Sequence, residues 1–114
     1  MKKTELAWAA GFFDGEGHFG CHHFPYLYLS ISQKDRNVLD RFRRIFKTGR
    51  VYPPYGKDSC YRFAIGNFHS IQKIIVALWP YLSIVKRDQV LHIIRTVYGK
   101  KGKKRNQSCY INKG

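Results

Sequence analysis

The sequence predicts an α+β fold of order αββαββα(α), an antiparallel four-stranded sheet with helices on one face. Three observations predict it. "YLYLSISQ", 26–33, alternates strictly, with Leu27, Leu29 and Ile31 on one side and Tyr26, Tyr28, Ser30 and Ser32 on the other. "RVYPPYGKDSCYRFAIG", 50–66, reads as two further strands around a loop holding Pro53, Pro54 and Gly56. The segments between and around these strands carry apolar residues at spacings of three and four, the mark of amphipathic helices.

The first helix is expected over 4–14, with Thr4 as N-cap, Glu5 at the positive end of the helix dipole, and Gly15 and Gly17 as the stop. A strand follows over 18–24, with Gly20 a candidate bulge, and Pro25 punctuates it. Asp35 caps a second helix, 35–47, whose apolar stripe is Val38, Leu39, Phe42, Ile45 and Phe46. In the last strand Phe63 and Ile65 share one face, Arg62 and Ala64 the other. A third helix is expected over 68–79, ended by Pro80, and a last one over 86–98 with Val90, Leu91, Ile94 and Val97 apolar.

The chain of 114 residues has room for one domain, 1–99, followed by a basic tail, 100–114. It carries 21 Lys and Arg against 7 Asp and Glu, a net charge of +14. Such a field favours a polyanionic partner. No apolar run is long enough to span a membrane, and Glu5 interrupts the N-terminal stretch too early for a signal peptide. Cys21, Cys60 and Cys109 are odd in number and lack a Cys-x-x-Cys spacing, so they read as free thiols of an intracellular, reducing compartment. Cys21-His22-His23 does not make a zinc site, since neighbours on a strand point to opposite faces and no second ligand pair follows.

The stretch "LAWAAGFFDGEGHFG", 6–20, carries the chemistry. Ala7, Ala10, Gly11 and Asp14 recur at helical spacing and form a face with almost no side chain, which lets a second helix approach closely. Trp8 and Phe12 make a bulky face for the domain's own core. Only one such helix exists here, so the expected partner is a second copy of the chain. Glu16 falls at the negative end of the helix dipole, an unfavourable place for a carboxylate unless a cation sits there. A carboxylate with backbone carbonyls suits Mg²⁺. A twofold pair brings two Glu16 side chains together, and paired metals there suit phosphodiester cleavage.

At these residues "AAGFFDGEG", 9–17, resembles the signature nonapeptide of the LAGLIDADG homing endonucleases. Ala10, Gly11, Asp14 and Gly17 match its letters, and Glu16 replaces its second Asp. The αββαββα order is similar to that family over residues 4–98. The resemblance implies that Glu16 is the catalytic metal ligand and that Asp14 is more structural. "SISQKD" resembles the family segment whose Gln organises the water and phosphate region, here Gln33 with Lys34 beside it. "KRDQ" resembles the family's Lys-x-x-Gln, which makes Lys86 the lysine of the catalytic centre. Arg36 and Asn37 lie near a further basic position of the family without resolving it.

A single motif copy implies a homodimer, through Ala7, Ala10, Gly11 and Asp14, acting on a long, partly palindromic double-stranded DNA site. The expected activity is an Mg²⁺-dependent staggered double-strand cut, with Mn²⁺ or Ca²⁺ able to occupy the same site. No small-molecule substrate and no membrane partner are expected. Base reading falls to His18, His22, Tyr26, Tyr28, Ser30, Ser32, Lys34, Arg50, Tyr52 and Arg62, with the tail lysines on phosphates. Two alternatives keep the fold without the cut: an RNA maturase and a cleavage-inactive DNA-binding protein. A generic basic RNA-binding protein explains the charge and little else. Organelle, bacterial and phage origins fit equally.

Overall fold

The computed structural model describes residues 2–23, 26–57 and 59–99, so the predicted tail, 100–114, lies outside the described residues. The elements run α1 (Lys3–Glu16), β1 (Gly17–His23), β2 (Tyr26–Gln33), α2 (Arg36–Phe46), β3 (Arg50–Tyr52), β4 (Tyr61–Ile65), α3 (Phe68–Leu78), a 3₁₀ turn (Trp79–Tyr81) and α4 (Ile84–Gly99). All strand pairs are antiparallel, in the order β1-β2-β4-β3. The α+β class and the predicted element order are therefore those of the chain. No helix among the described residues is long and apolar enough to cross a membrane.

One sheet face is apolar. Phe19, Cys21, Leu27, Leu29, Ile31, Phe63 and Ile65 are buried there against Leu39 and Phe42 of α2, Ile71, Ile74, Ile75 and Leu78 of α3, and Val90, Ile93 and Val97 of α4. Period-two alternation then obliges residues of the other parity to face outward. The register sets the outer face in rows: His18, Ser30, Ala64 and Arg50 form one, and Ser32, Arg62 and Tyr52 another. The ladder between β1 and β2 is regular through Gly20 and slips between Cys21 and His23, so the bulge expected at Gly20 lies further along. Cys21 is disulfide-bonded, which corrects its reading as a free thiol. Cys109 lies outside the described residues.

Helix α1 departs from expectation at both ends. Glu5 N and Leu6 N donate to Lys2 O, so Thr4 lies within the first turn and Lys2 takes the cap position without a side-chain bond. At the other end the helix runs through Gly15 to Glu16, and Gly17 turns out into extended backbone (φ −81°, ψ 155°). Neither glycine uses the left-handed region, so turning freedom is not their purpose. Asp35 caps α2 as expected, its side chain accepting from Asn37 N at 2.9 Å. Pro80 belongs to the 3₁₀ turn rather than simply ending α3. That turn is tied to α4 by Arg87, whose Nε donates to Trp79 O at 3.0 Å.

Candidate active site

Three elements meet where α1 ends. Asp14, in the last turn of α1, accepts from Ser83 N at 3.2 Å and from Ser83 Oγ at 3.0 Å. Ser83 immediately precedes α4, and its Oγ accepts in turn from Lys86 N at 3.1 Å. It therefore caps α4 and holds Asp14 against the positive end of that helix. Lys86, in the first turn of α4, is thereby aimed back at α1. Its Nζ donates to Gly17 O at 3.0 Å and lies 5.4 Å from the centre of the Phe13 ring. Partial burial lowers the Lys86 pKa from its ordinary value, and the Asp14 charge offsets part of that.

Gly17 is small because Phe13 needs the space: a Cβ at Gly17 would fall within the buried Phe13 ring. This packing fixes the angle at which β1 leaves α1. Glu16, the residue between them, is exposed. The last turn of α1 contains no basic residue, and no hydrogen bond or ion pair holds the Glu16 carboxylate among the described residues. Gln33 closes β2. Ile31 pairs with Gly17, and the antiparallel ladder carries the next residues of β2 toward the Glu16 side, which puts half-buried Gln33 near the end of α1. Lys34 follows, exposed. Arg36 is committed elsewhere: its Nε bonds Asp40 Oδ2 at 3.3 Å, and the guanidinium lies 5.8 Å from the Tyr61 ring centre.

The faces of α1 differ from expectation at one position. Ala9, Ala10 and Phe13 are fully buried in the domain's own core, with Leu6 packed alongside. Ala10 is therefore not available to a partner helix, which corrects its assignment to a dimer surface. The helical phase explains this, since position 10 follows Leu6 by four and precedes Phe13 by three. The exposed bare stripe is Ala7, Gly11 and Gly15, and nothing lies within 4 Å of a Cβ at either glycine. Asp14 is half-buried at the border of that stripe. Trp8 and Phe12, as expected, pack against the domain's own core, partly buried. Their rings stack at 5.2 Å, Phe12 leans on Phe42 of α2, and the Arg41 guanidinium covers Trp8 at 3.9 Å.

The outer sheet face carries the predicted reading residues. Tyr26, Ser32, Arg50, Tyr52, Arg62, His18 and His22 are exposed, and Tyr28 and Ser30 half-exposed. His18 Nε2 meets Tyr28 Oη at 2.7 Å. Burial lowers the His18 pKa first and the nearby Lys86 charge second. Burial raises the Tyr28 pKa, against an opposing pull from Arg62. At the far end of the sheet, Tyr52, Pro53, Tyr55, Cys60, Arg62 and Ala64 line a hollow of about 450 Å³. Sequence reasoning missed Ser83 and Tyr55. The signal for Ser83 is a Ser preceding an apolar helical pattern, and it becomes a cap only because α4 begins at Ile84, two residues before the predicted start at 86.

No protein-family model and no curated protein matches the sequence. Solved structures do. The archaeal intron-encoded homing endonuclease I-Vdi141I, complexed with DNA, is 26% identical with a TM-score of 0.72, over 87% of this chain and 70% of that one. The LAGLIDADG meganuclease I-AabMI, bound to uncleaved DNA, is 25% identical with a TM-score of 0.67, over 82% of this chain and 35% of that one. The homing endonuclease I-CvuI, in complex with DNA in the presence of Mg, is 23% identical with a TM-score of 0.67, over 88% and 71%. The fold and the motif at the end of α1 define a LAGLIDADG-type nuclease. The chain carries one copy of that motif and shares its fold with LAGLIDADG homing endonucleases, which are DNA-cleaving enzymes.

Proposed function

We propose that this chain is one protomer of a homodimeric, divalent-metal-dependent endonuclease that makes a staggered double-strand cut in a long, partly palindromic DNA site. The observation that carries the proposal is the end of α1. A carboxylate without a partner among the described residues, Glu16, stands there one residue beyond the bare stripe of Ala7, Gly11 and Gly15. Two α1 helices crossing at that stripe approach backbone to backbone. Contact at Gly15 then brings both Glu16 side chains to the dyad. Ile84 and Val85, 73% and 66% exposed, follow directly after Ser83 and so extend the apolar seam beside the Asp14 contact.

No cluster of three or more metal-ligating side chains exists among the described residues. The donor set present fits Mg²⁺ nonetheless, because that ion is usually held by one or two carboxylates, with water and substrate phosphates completing its shell. Glu16 of each protomer would hold it. A divalent cation bound there supplies charge stabilisation for the scissile phosphate and its leaving oxygen. Lys86 contributes a fixed positive charge beside the same phosphate, held in place by Gly17 O and the Ser83 cap. Gln33 orients solvent at the end of β2. The outer sheet face lies in the DNA groove, and the basic surface makes binding strongly salt-dependent.

Selection of cleaved and bound DNA from a genomic library, with Mg²⁺, tests the proposal. The wild type should cut at discrete sites, and Glu16→Gln should bind those sites and leave them whole. Cutting by Glu16→Gln at the wild-type rate would refute the role of Glu16. A folded wild type that cuts no site in the library would refute the endonuclease reading.

A further inference from the structure

Tyr28 is held by three positions of β1, His18, Gly20 and His22. It pairs with Gly20 across the ladder, and a Cβ at Gly20 would stand 2.8 Å from Tyr28 Oη and 3.0 Å from its Cζ. The ring therefore lies across bare β1 backbone, in the space that the missing side chain leaves. His18 and His22 flank Gly20 two residues away on either side, on the same outer face. The His18 Nε2 meets the hydroxyl at 2.7 Å, and the His22 ring stacks on the Tyr28 ring at 4.4 Å with planes 25° apart. Three side chains that the alternation alone presents as separate contacts thus form one unit.

We propose that Tyr28 is a specificity-determining residue of the DNA-reading face, and that His18 and His22 act through it as clamps rather than as independent readers of bases. The proposal rests on the DNA-endonuclease reading above. Its physical content is preorganisation. A side chain already fixed before binding loses no rotamer freedom at the interface. Tyr26 and Tyr52 differ: they are 64% and 46% exposed, Tyr52 has no ring contact among the described residues, and Tyr26 has only an edge contact from His23 at 5.8 Å. The clamp uses one hydrogen bond of the Tyr28 hydroxyl and leaves the other for a base edge. In the major groove that hydroxyl meets an exocyclic amine or a carbonyl, and the ring edge meets a thymine methyl. Arg62 lies on the same outer face, opposite Ser32, and its charge opposes the upward push of burial on the Tyr28 hydroxyl.

The test combines two readouts. Duplexes randomised over one half-site are selected for binding to the wild type, Tyr28→Phe, Gly20→Ala, His18→Ala and His22→Ala. The DNA-free proteins are compared by the NMR signals of the His18 ring. Tyr28→Phe and Gly20→Ala should both shift the His18 signals. All four variants should lose preference at the same base pair, by about five- to a hundredfold. Adding His18→Ala to Tyr28→Phe should remove nothing more. If Gly20→Ala does not fold, Tyr28→Phe, which keeps the ring, carries the comparison. Variants that relax different positions, or whose losses add, overturn the proposal. So does a uniform loss of affinity with preference intact. A wild type without any preference refutes the DNA reading and the specificity role together, while the His18 signals still report whether the clamp exists.

Discussion

Substitution at Gly11 separates the needs of the protomer from those of the proposed homodimer. Gly11 sits in the middle of α1, exposed, with nothing within 4 Å of a Cβ built there. For the isolated domain, Gly11→Ala is therefore free of clash and replaces a poor helix former by the best one, a gain of about 1 kcal/mol. On a domain of this size that raises Tm by about 4–8 °C. Gly11→Leu gains nearly as much helix propensity but adds a branched side chain to the seam. Overpacking costs roughly 1–3 kcal/mol at one site. A twofold seam carries two copies of position 11, so the dimer Kd should rise by roughly thirtyfold or more. Sedimentation equilibrium over a dilution series measures the second quantity. Thermal melts at concentrations below the Kd measure the first. The expected pattern is opposite in sign: a protomer that melts higher and a dimer that falls apart earlier. A Gly11→Leu protein with wild-type Kd would refute the claim that the bare stripe is the contact. A fall in protomer Tm would refute the placement of Gly11 in solvent.

Four further substitutions or titrations probe the site. Ser83→Ala removes the cap of α4 and the partner of Asp14, so urea unfolding should show a loss of about 1–2 kcal/mol, and cleavage should slow as Lys86 loses its setting. Gly17→Ala should destabilise by roughly 1–3 kcal/mol through displacement of Phe13, although Ala meets no backbone strain there; a melt unchanged from wild type would contradict the packing. The Lys86 pKa is lowered, so the alkaline limb of a cleavage profile that needs its charge should fall below pH 10.5, and Lys86→Arg should move that limb upward. The His18 pKa is lowered from 6.5, so between that value and its folded one the unfolded chain binds more protons. Stability should then fall as pH drops through this window, and His18→Gln should flatten the loss in thermal melts.

Strand alternation and helical spacing carried most of the fold, because burial on one side imposes a period that survives in composition. The phase of α1 was not legible in the same way. Alanine suits a tight core and a bare seam equally, so small size at Ala7, Ala10 and Gly11 does not say which of them turns inward; only the packing of Leu6, Ala9 and Phe13 decides it. The tie between Asp14 and Ser83 spans 69 residues and leaves no local trace in either segment. The Tyr28 clamp was hidden for a related reason. Its members were each visible as outward residues, but their union depends on the absence of a side chain at Gly20, and a glycine in a strand reads first as a bulge.

The last four motif positions show why the order of residues matters more than their kinds. Successive helical residues turn by about 100°, so Asp14, Gly15 and Glu16 face three directions. Asp14 points to the start of α4 and is held there by two donors from Ser83. Gly15 faces open space. Glu16 ends the helix with its carboxylate unheld among the described residues, and Gly17 gives its α-carbon to Phe13 and its carbonyl to Lys86. The two carboxylates are therefore not interchangeable. One is consumed in joining α1 to α4, which fixes the lysine; the other, unheld among the described residues, stays open to the cation proposed for it. A chain with Asp14 and Glu16 exchanged in duty would keep its charge and composition while losing both the tie and the open ligand.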